Sequence, residues 1–405
     1  MSTVYRNNHY VPVWYQKRFL PKDMKDQELF YLDLKPDTFT DRRGISHTKR
    51  RIRKLGFKYC FSKRNLYTTT FGSEESVMIE QLFFGKIDKH GKHGIEYFTN
   101  FEHPSADSRA FHNLIFFLST QKLRTPKGLG WLNNIIPNPN RDKILMAMVN
   151  LRNLFCAIWT ECIWLIADAS NSNTKFIISD HPVTVYNKRC GPRSSWCRDY
   201  KDPDILMHGT HTIFPLSMEK VLILTNLSWI RNPYQNPIDL RPNPSLFRDA
   251  IFNFTEVQNA RHLNDQEVIQ LNFIIKSRAL RFIAAAKEEW LFPDKYISKS
   301  DWNVYGDGYL CMPDPRSIQL GGEILMGFKD GHVEASDEYG RRPWEKDYNK
   351  EGKSLIESRT LDKFKSEFAR LYGPVRRGLS YLDNEKDTEE LHQFYLELGK
   401  KKRKK

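Results

Sequence analysis

Lys175-Phe-Ile-Ile-Ser-Asp-His-Pro-Val-Thr-Val-Tyr-Asn187 is the stretch from which the rest of this chain is read. Phe176 to Ser179 is an apolar-rich run of strand character, and it stops abruptly at an acid, an imidazole and a proline. Pro182 favours an extended backbone at His181, so Asp180 and His181 leave the strand without curling into a helix. Polar side chains at the end of a buried strand have two explanations. They line binding sites, or they hold plain turns, because an Asp oxygen can bond backbone N–H groups two residues on.

Working outward, Glu161 to Ala167 reads as a strand, Asp168-Ala-Ser-Asn-Ser-Asn-Thr174 as its turn and Lys175 to Ser179 as the strand returning beside it. Thr212-Ile-Phe214 and Val221-Leu-Ile-Leu-Thr225 flank Pro215 to Lys220 as a second hairpin. These four segments predict a small antiparallel sheet with a helical body packed on one face, an α+β fold. Phe111, Leu114, Ile115 and Leu118 recur at helical spacing and place a helix over Ser105 to Thr125; Arg141 to about Thr160 is a second. Asn264-Asp-Gln-Glu267 has the form of a capping box. From it Val268, Leu271, Ile275, Ala279, Phe282 and Ala286 continue an apolar stripe to about Trp290, with Asn272 the polar exception. Such a stripe is expected to pack the core rather than to touch a cofactor.

Toward the amino terminus, Pro12 suits the first position of a short helix, which puts His9 just ahead of a helix start. Its imidazole can handle a proton or ligate a metal, or it can simply bond a backbone carbonyl. Glu28 to Leu34 reads as a strand with a turn near Lys35-Pro-Asp37. From Arg42 to Arg64 there are ten Lys and Arg residues, interleaved with Phe57, Tyr59 and Phe61. Arg50, Arg51, Arg53, Lys54, Lys58 and Tyr59 are the candidate nucleic-acid contacts in this run, phosphate partners beside a stacking ring; the alternative is a solvated basic strand pair. Glu74 to Lys86 reads as a helix with Val77, Ile79, Leu82 and Phe83 on its apolar side, and His90-Gly-Lys-His93 as a glycine-bearing loop. Past Pro293 the chain turns charged, with helices expected at Thr360 to Tyr372 and Thr388 to Leu398 and a basic tail at Lys400 to Lys405. This divides the chain into a core domain over 1–292, a charged helical extension over 293–399 and the tail over 400–405.

Sixty-three Lys plus Arg against forty-nine Asp plus Glu leave a formal charge of +14, a field that favours a polyanionic partner, DNA or RNA alike. At 40% hydrophobic and 13% aromatic content the chain is a folded one, and disorder over the whole length is excluded. The first residues lack the apolar core of a secretory signal, and Ile144 to Ala167 is interrupted by Asn150, Arg152, Asn153 and Glu161, so no membrane span and a cytoplasmic location are expected. Six cysteines in 405 residues are too sparse for a disulfide framework. Cys190, Cys197, His208 and His211 have the ligand types of a zinc site but not its spacing, so zinc is not expected and an ordinary loop is.

Asn8-His-Tyr-Val-Pro12, Gln121 with Arg124-Thr-Pro126, Phe176-Ile-Ile-Ser-Asp-His-Pro-Val183, Phe214-Pro-Leu-Ser217 and Asn272 together resemble a largely bacterial family known as domain of unknown function 4238. The resemblance runs in order over about residues 5–290 and departs at His181, where the family pattern often has Asn. It implies no reaction.

Gln121 and Arg124 share a helix face, and Arg124 either complements the helix dipole or grips a carboxylate or phosphate with two prongs. If His9, Gln121, Arg124, Asp180 and Asn272 meet in one pocket, the set suits phosphodiester chemistry. Asp180 would hold Mg or Mn or act as base, His9 would move a proton and Arg124 would steady phosphate charge, with Glu80 or Glu161 as a second acid. The resulting expectation is a metal-dependent nuclease, a hydrolase of the kind used in antiviral defence. The alternatives are a non-catalytic nucleic-acid-binding protein, a sensor of a small anionic ligand through Arg124, or a structural polar network.

Overall fold

The computed structural model describes residues 7–403 apart from 25–26, 65, 67–68, 72–73, 77–83, 199, 208, 227–251, 298–301, 303–304, 306–308, 319–322, 328–329, 338–340, 347, 349–350 and 382–387. In order, the first part contains β1 (Asn7–His9), α1 (Val13–Gln16), β2 (Glu28–Asp33), β3 (Thr38–Thr40), β4 (Ser46–Thr48), β5 (Ile52–Gly56), β6 (Ser62–Arg64), β7 (Thr69–Phe71) and β8 (Glu74–Ser76). Four helices follow: α2 (Gly85–Thr99), α3 (Ser108–Arg124), α4 (Pro126–Ile135) and α5 (Arg141–Thr160). Then come β9 (Ile163–Asp168), β10 (Ile178–Ser179), β11 (Thr184–Asn187), β12 (Thr210–Pro215), β13 (Lys220–Thr225), β14 (Gln258–His262), α6 (Asp265–Arg278) and β15 (Phe282–Ala285). The last part has β16 (Glu323–Gly327), β17 (Val333–Asp337), α7 (Glu351–Tyr372) and α8 (Glu389–Arg403).

The fold is α+β. Five strands form one sheet in the order β11-β12-β13-β9-β14, and four form another in the order β10-β15-β2-β5. Every pair is antiparallel except β14, which runs parallel to β9. Strands β11 and β12 are buried along their whole length and β9 and β13 nearly so, which explains the apolar runs Trp164 to Ala167 and Val221 to Leu224; the buried polar Asn187 and His211 are hydrogen-bonded to Thr210 and Thr225. Helices α2, α3 and α5 pack together, and Phe98, Phe111, Phe117, Trp159 and Trp164 carry the core from them to β9. Trp302, Tyr305, Leu310 and Cys311, beyond residue 293, join the same core.

The helices at 108–124 and 141–160, the strand at Glu28 and the hairpin of β12 and β13 stand where the apolar periodicity puts them. Other expectations are corrected. Lys175 to Ser179 does not return beside β9, whose neighbours are β13 and β14; only Ile178 and Ser179 are strand, and they pair with β15 in the other sheet. The connection is diverted because Asp265 Oδ1 accepts from Ser172 Oγ at 2.5 Å and from the Asn173 N–H at 2.6 Å, which anchors it to the start of α6. The capping box at Asn264 is formed, but α6 stops at Arg278 instead of running to Trp290. Its stripe splits, since Val268, Leu271 and Ile275 face the core from the helix while Phe282 belongs to β15.

Glu74 to Ser76 is strand, not helix; residues 77–83 lie outside the described residues, and α2 starts at Gly85. His90 to His93 is the interior of α2, not a loop. Helix α4 follows directly on α3, with Thr125 as N-cap and Pro126 in its first turn, a start signal present in the sequence but read there only as the end of α3. In the basic tail, Lys400 to Arg403 continues α8. No helix among the described residues is long and apolar enough to cross a membrane.

Candidate functional site

Of the five polar residues singled out in the sequence, Gln121 and Arg124 bond each other, while His9, Asp180 and Asn272 are each bonded to backbone elsewhere. His9 ends β1, with Nε2 at 3.2 Å from the Lys58 carbonyl, and burial lowers its pKa against the pull of the Lys58 and Phe57 backbone. Gln121 and Arg124, one turn apart at the end of α3, bond each other: Gln121 Oε1 accepts from Arg124 Nε at 2.8 Å and from its terminal nitrogen at 2.6 Å. Gln121 Nε2 donates to the Tyr10 carbonyl at 2.7 Å, so this pair sits beside the chain next to His9. Arg124 also meets Asp88 of α2 at 2.8 Å, and its guanidinium lies over the Phe84 and Phe117 rings, enclosed.

Asp180 is bound by backbone alone. Its Oδ1 accepts the Leu280 N–H at 2.9 Å and its Oδ2 those of Arg281 at 2.7 Å and Phe282 at 2.8 Å. Burial pushes its carboxyl up, and these three donors oppose that. Asn272 acts similarly from α6, donating to the Lys175 carbonyl at 2.9 Å and accepting the Ile177 N–H at 3.1 Å. The two side chains thus secure both ends of the segment 175–180, and no hydrogen bond among the described residues joins Asp180 to His9 or to Asn272.

A further buried polar cluster lies elsewhere, on Asp202. Its Oδ2 is 2.9 Å from Lys122 Nζ and 3.0 Å from His181 Nε2, and its Oδ1 is 2.5 Å from Lys127 Nζ. His181 Nδ1 is 2.7 Å from Thr125 Oγ1, and Lys127 Nζ also donates to the Arg278 carbonyl at 2.8 Å. Burial opposes ionisation of Asp202, but Lys122, Lys127 and His181 outweigh it and hold the carboxyl well below the usual range. Burial pushes His181 down to about 4 against the attraction of Asp202, so the imidazole is neutral at pH 7. A neutral ring beside a carboxylate places its proton on Nε2, which leaves Nδ1 to accept from the Thr125 hydroxyl.

Hydroxyl, imidazole and carboxylate therefore stand in the order used for acyl transfer. Thr125 is 0% and His181 2% exposed, however, and the Thr125 oxygen is already the N-cap acceptor of the Gly128 N–H. The cluster works as a charged clasp between α3, α4, the end of β10 and the loop that carries Asp202. The sequence motifs contain Thr125 and His181 but not Asp202, which has no local signal: it lies in an irregular loop, and only the fold brings it to Lys122, Lys127 and His181.

Among the described residues no three His, Cys, Asp or Glu side chains are grouped to hold a metal ion. Of the four residues weighed for zinc, Cys190 is buried and Cys197 half-buried, His211 is buried in β12 with Nδ1 at 3.1 Å from Thr225 Oγ1, and His208 lies outside the described residues. Glu80 lies outside them too.

The basic run forms a surface. Strand β5 is the edge of the four-stranded sheet, and Arg50, Arg51, Arg53, Lys54 and Lys58 are exposed along and beside it. None of these five forms an ion pair among the described residues, whereas neighbouring Lys49 is neutralised by Asp37 at 3.2 Å. Lys54 stands over the Phe30 ring at 5.1 Å, and Tyr59 is 66% exposed. On the adjoining hairpin of β3 and β4 the half-exposed Phe39 stacks on His47.

The molecule is thus an α+β protein with an enclosed polar clasp and a basic sheet edge. Residues 131–289 match the model of the family described as "Protein of unknown function (DUF4238)". The match contains Asp180, His181, Asp202, Phe214 to Ser217 and Asn272; His9, Gln121, Arg124 and the basic strand precede it. No curated protein and no solved structure matches the chain.

Proposed function

We propose that this protein binds nucleic acid along the basic edge strand β5. The observation that carries the reading is that Arg50, Arg51, Arg53, Lys54 and Lys58 lack carboxylate partners among the described residues while Tyr59 offers a bare ring among them. Unpaired surface cations retain their condensable field for phosphates, and a neighbouring aromatic face adds sequence-tolerant stacking. Cations on an edge strand also keep other strands from pairing with it, which is the competing explanation.

Cleavage asks more of the molecule. A nuclease reading needs Asp180 to hold Mg or Mn and His9 and Arg124 to reach the same phosphate, yet Asp180 and Arg124 are enclosed and bonded inside the fold. Binding therefore ranks ahead of hydrolysis, and a small-anion sensor built on Arg124 ranks behind both.

The test is titration of labelled single- and double-stranded DNA and RNA with the purified chain at 50 to 300 mM salt, comparing wild type with an Arg51→Ala, Arg53→Ala, Lys54→Ala triple variant. At least about a tenfold loss of affinity is expected for the triple variant at low salt. Equal affinity of the two proteins, or no binding at 50 mM salt, would sink the proposal. Equal affinity with new self-association of the variant would point to the edge-blocking role. Shortened products appearing only with Mg²⁺ or Mn²⁺ would promote the nuclease reading.

A further inference from the structure

Strand β14 is an edge of the five-stranded sheet and leads directly into α6. Gln258 and Arg261 stand opposite Leu165 and Ala167, so β14 carries one residue more than β9 over this step, and Ala260 takes up the slack at a left-handed φ of 58°. Such a bulge re-aims the side chain that follows it. Here that side chain is Arg261, 2% exposed. Its terminal nitrogens donate to the carbonyls of Met312 at 2.8 Å and Leu310 at 2.9 Å, while its Nε–H is buried with no acceptor among the described residues. An unanswered buried donor on a guanidinium is costly, and it calls for an acceptor from outside the chain.

The chain after α7 closes over this place and is tied down there. Asn259 and Leu379 exchange both backbone hydrogen bonds at 3.0 Å, Arg316 donates to the carbonyls of Gly373 at 2.9 Å and Val375 at 2.7 Å, and Asp314 Oδ2 accepts the Arg377 N–H at 3.1 Å. Between the two walls is a cavity of about 410 Å³, lined by Arg261, His262 and Glu267 on one side and by Tyr372, Arg376 and Arg377 on the other. Three guanidinium groups line it against one carboxylate, an excess of two positive charges. That carboxylate is shared: Glu267 accepts from Arg377 and stands 3.7 Å from Arg261. Arg377 is held over the Tyr372 ring at 4.4 Å. The start of α6 contributes little of its own, because its capping box already uses the N–H groups of Asn264 and Glu267.

We propose that this cavity binds a small phosphate monoester of mononucleotide size, its phosphate held by Arg261 and Arg377 and its organic part by Tyr372 and Val375. The volume is that of a site for a small organic ligand. A phosphate monoester brings two negative charges on one group, which matches the excess of the lining, and its oxygens present several acceptors to converging guanidinium forks. One of them meets the Arg261 Nε–H. A dicarboxylate carries the same charge but spreads it over two groups, and the guanidinium groups are gathered on one shared acid. Because the walls are already bonded in place, little ordering is left for the ligand to impose. The inference does not rest on nucleic-acid binding, whose residues are those of β5 and its flanks.

The test is calorimetric titration of the full-length chain with ribose 5-phosphate and AMP, with ribose, adenosine and succinate as controls. One equivalent of either ester should bind, ribose and adenosine should not, and succinate should bind at least about tenfold more weakly. Arg377→Gln should weaken both esters at least about tenfold. Glu267→Gln keeps a side chain able to complete the capping box but removes the competing carboxylate, so it should tighten the esters about threefold or more. A folding defect does not tighten binding, so this arm stands whether or not Arg377→Gln folds. The proposal is overturned if neither ester binds the wild-type chain, if adenosine or succinate binds as tightly as AMP, or if Glu267→Gln leaves the ester affinity unchanged. It is equally overturned if the Arg51→Ala, Arg53→Ala, Lys54→Ala variant loses the esters, which would place them on β5.

Discussion

Asp180 was open to two readings from the sequence because an acid at the end of a buried strand looks the same whether it serves a ligand or a turn. Its surroundings favour the turn: three backbone N–H groups from residues 280–282 fill its two oxygens. Removing it leaves those buried donors unpaired, so Asp180→Ala should lower unfolding free energy by about 3 kcal/mol or more in urea titrations. An unchanged midpoint together with a lost activity would instead mark Asp180 as a reacting group. His181 offers a pH test. Its folded-state pKa of about 4 lies below the value of 6.5 it takes when unfolded, so between these the unfolded chain binds the proton more readily. The His181 contribution is complete above about pH 6.5 and is lost as pH falls towards 4, by about 3 kcal/mol in all. Asp202, Lys122, Lys127 and Thr125 face the ring, and the two lysines reinforce the loss by resisting a further positive charge. Buried His211, lowered to about 3, titrates in the same direction. The measurement is therefore the difference in slope between wild type and His181→Asn: the variant should lose stability less steeply from pH 7 to pH 5, and identical slopes would dismiss this account of the clasp.

At the scale of elements, periodicity served best where one face of a helix meets the core. Helices α3 and α5 carry that pattern, and both were placed within a few residues. Helix α2 was missed because Gly91 and Gly94 are turn formers by local preference, yet here each makes room for α3. A Cβ on Gly94 would come 2.6 Å from the Leu114 nitrogen and 2.7 Å from the Ala110 oxygen, both backbone atoms that cannot swing aside. Gly94→Ala should accordingly destabilise by about 2 kcal/mol or more despite its better helix propensity, whereas exposed Lys92→Ala should stay within about 0.5 kcal/mol. Thermal melts of the two variants side by side check this. Helix α6 was drawn too long for a related reason: Phe282 and Ala286 fit a helical stripe as well as a strand, and the Asp180 carboxylate draws the N–H groups of residues 280–282 out of any helical ladder.

On the scale of the whole molecule, charge was legible and its placement was not. The +14 balance implied an anionic partner, but only the sheet order puts five cations without ion-pair partners among the described residues along and beside one edge. If they meet phosphates, log Kd for duplex DNA should vary with log salt at a slope of about 4 to 5, and each Arg or Lys removed should lower it by about 0.9. A slope near zero would assign the cations to keeping the edge clear.

The sequence by itself determined the α+β class, most of the helices, the capping box of α6 and the basic run, because each depends on residues close together in the chain. It could name Asp180, Asn272, Gln121 and Arg124 as special without saying why. Tertiary structure alone decided that they are bonded to backbone and to one another, that β10 joins the sheet of β15, and that Asp202 gathers Lys122, Lys127 and His181. Apart from the Gln121–Arg124 pair, those outcomes turn on contacts between residues 21 to more than 100 positions apart, where no local preference reaches and only simultaneous burial and hydrogen-bond satisfaction select the partner.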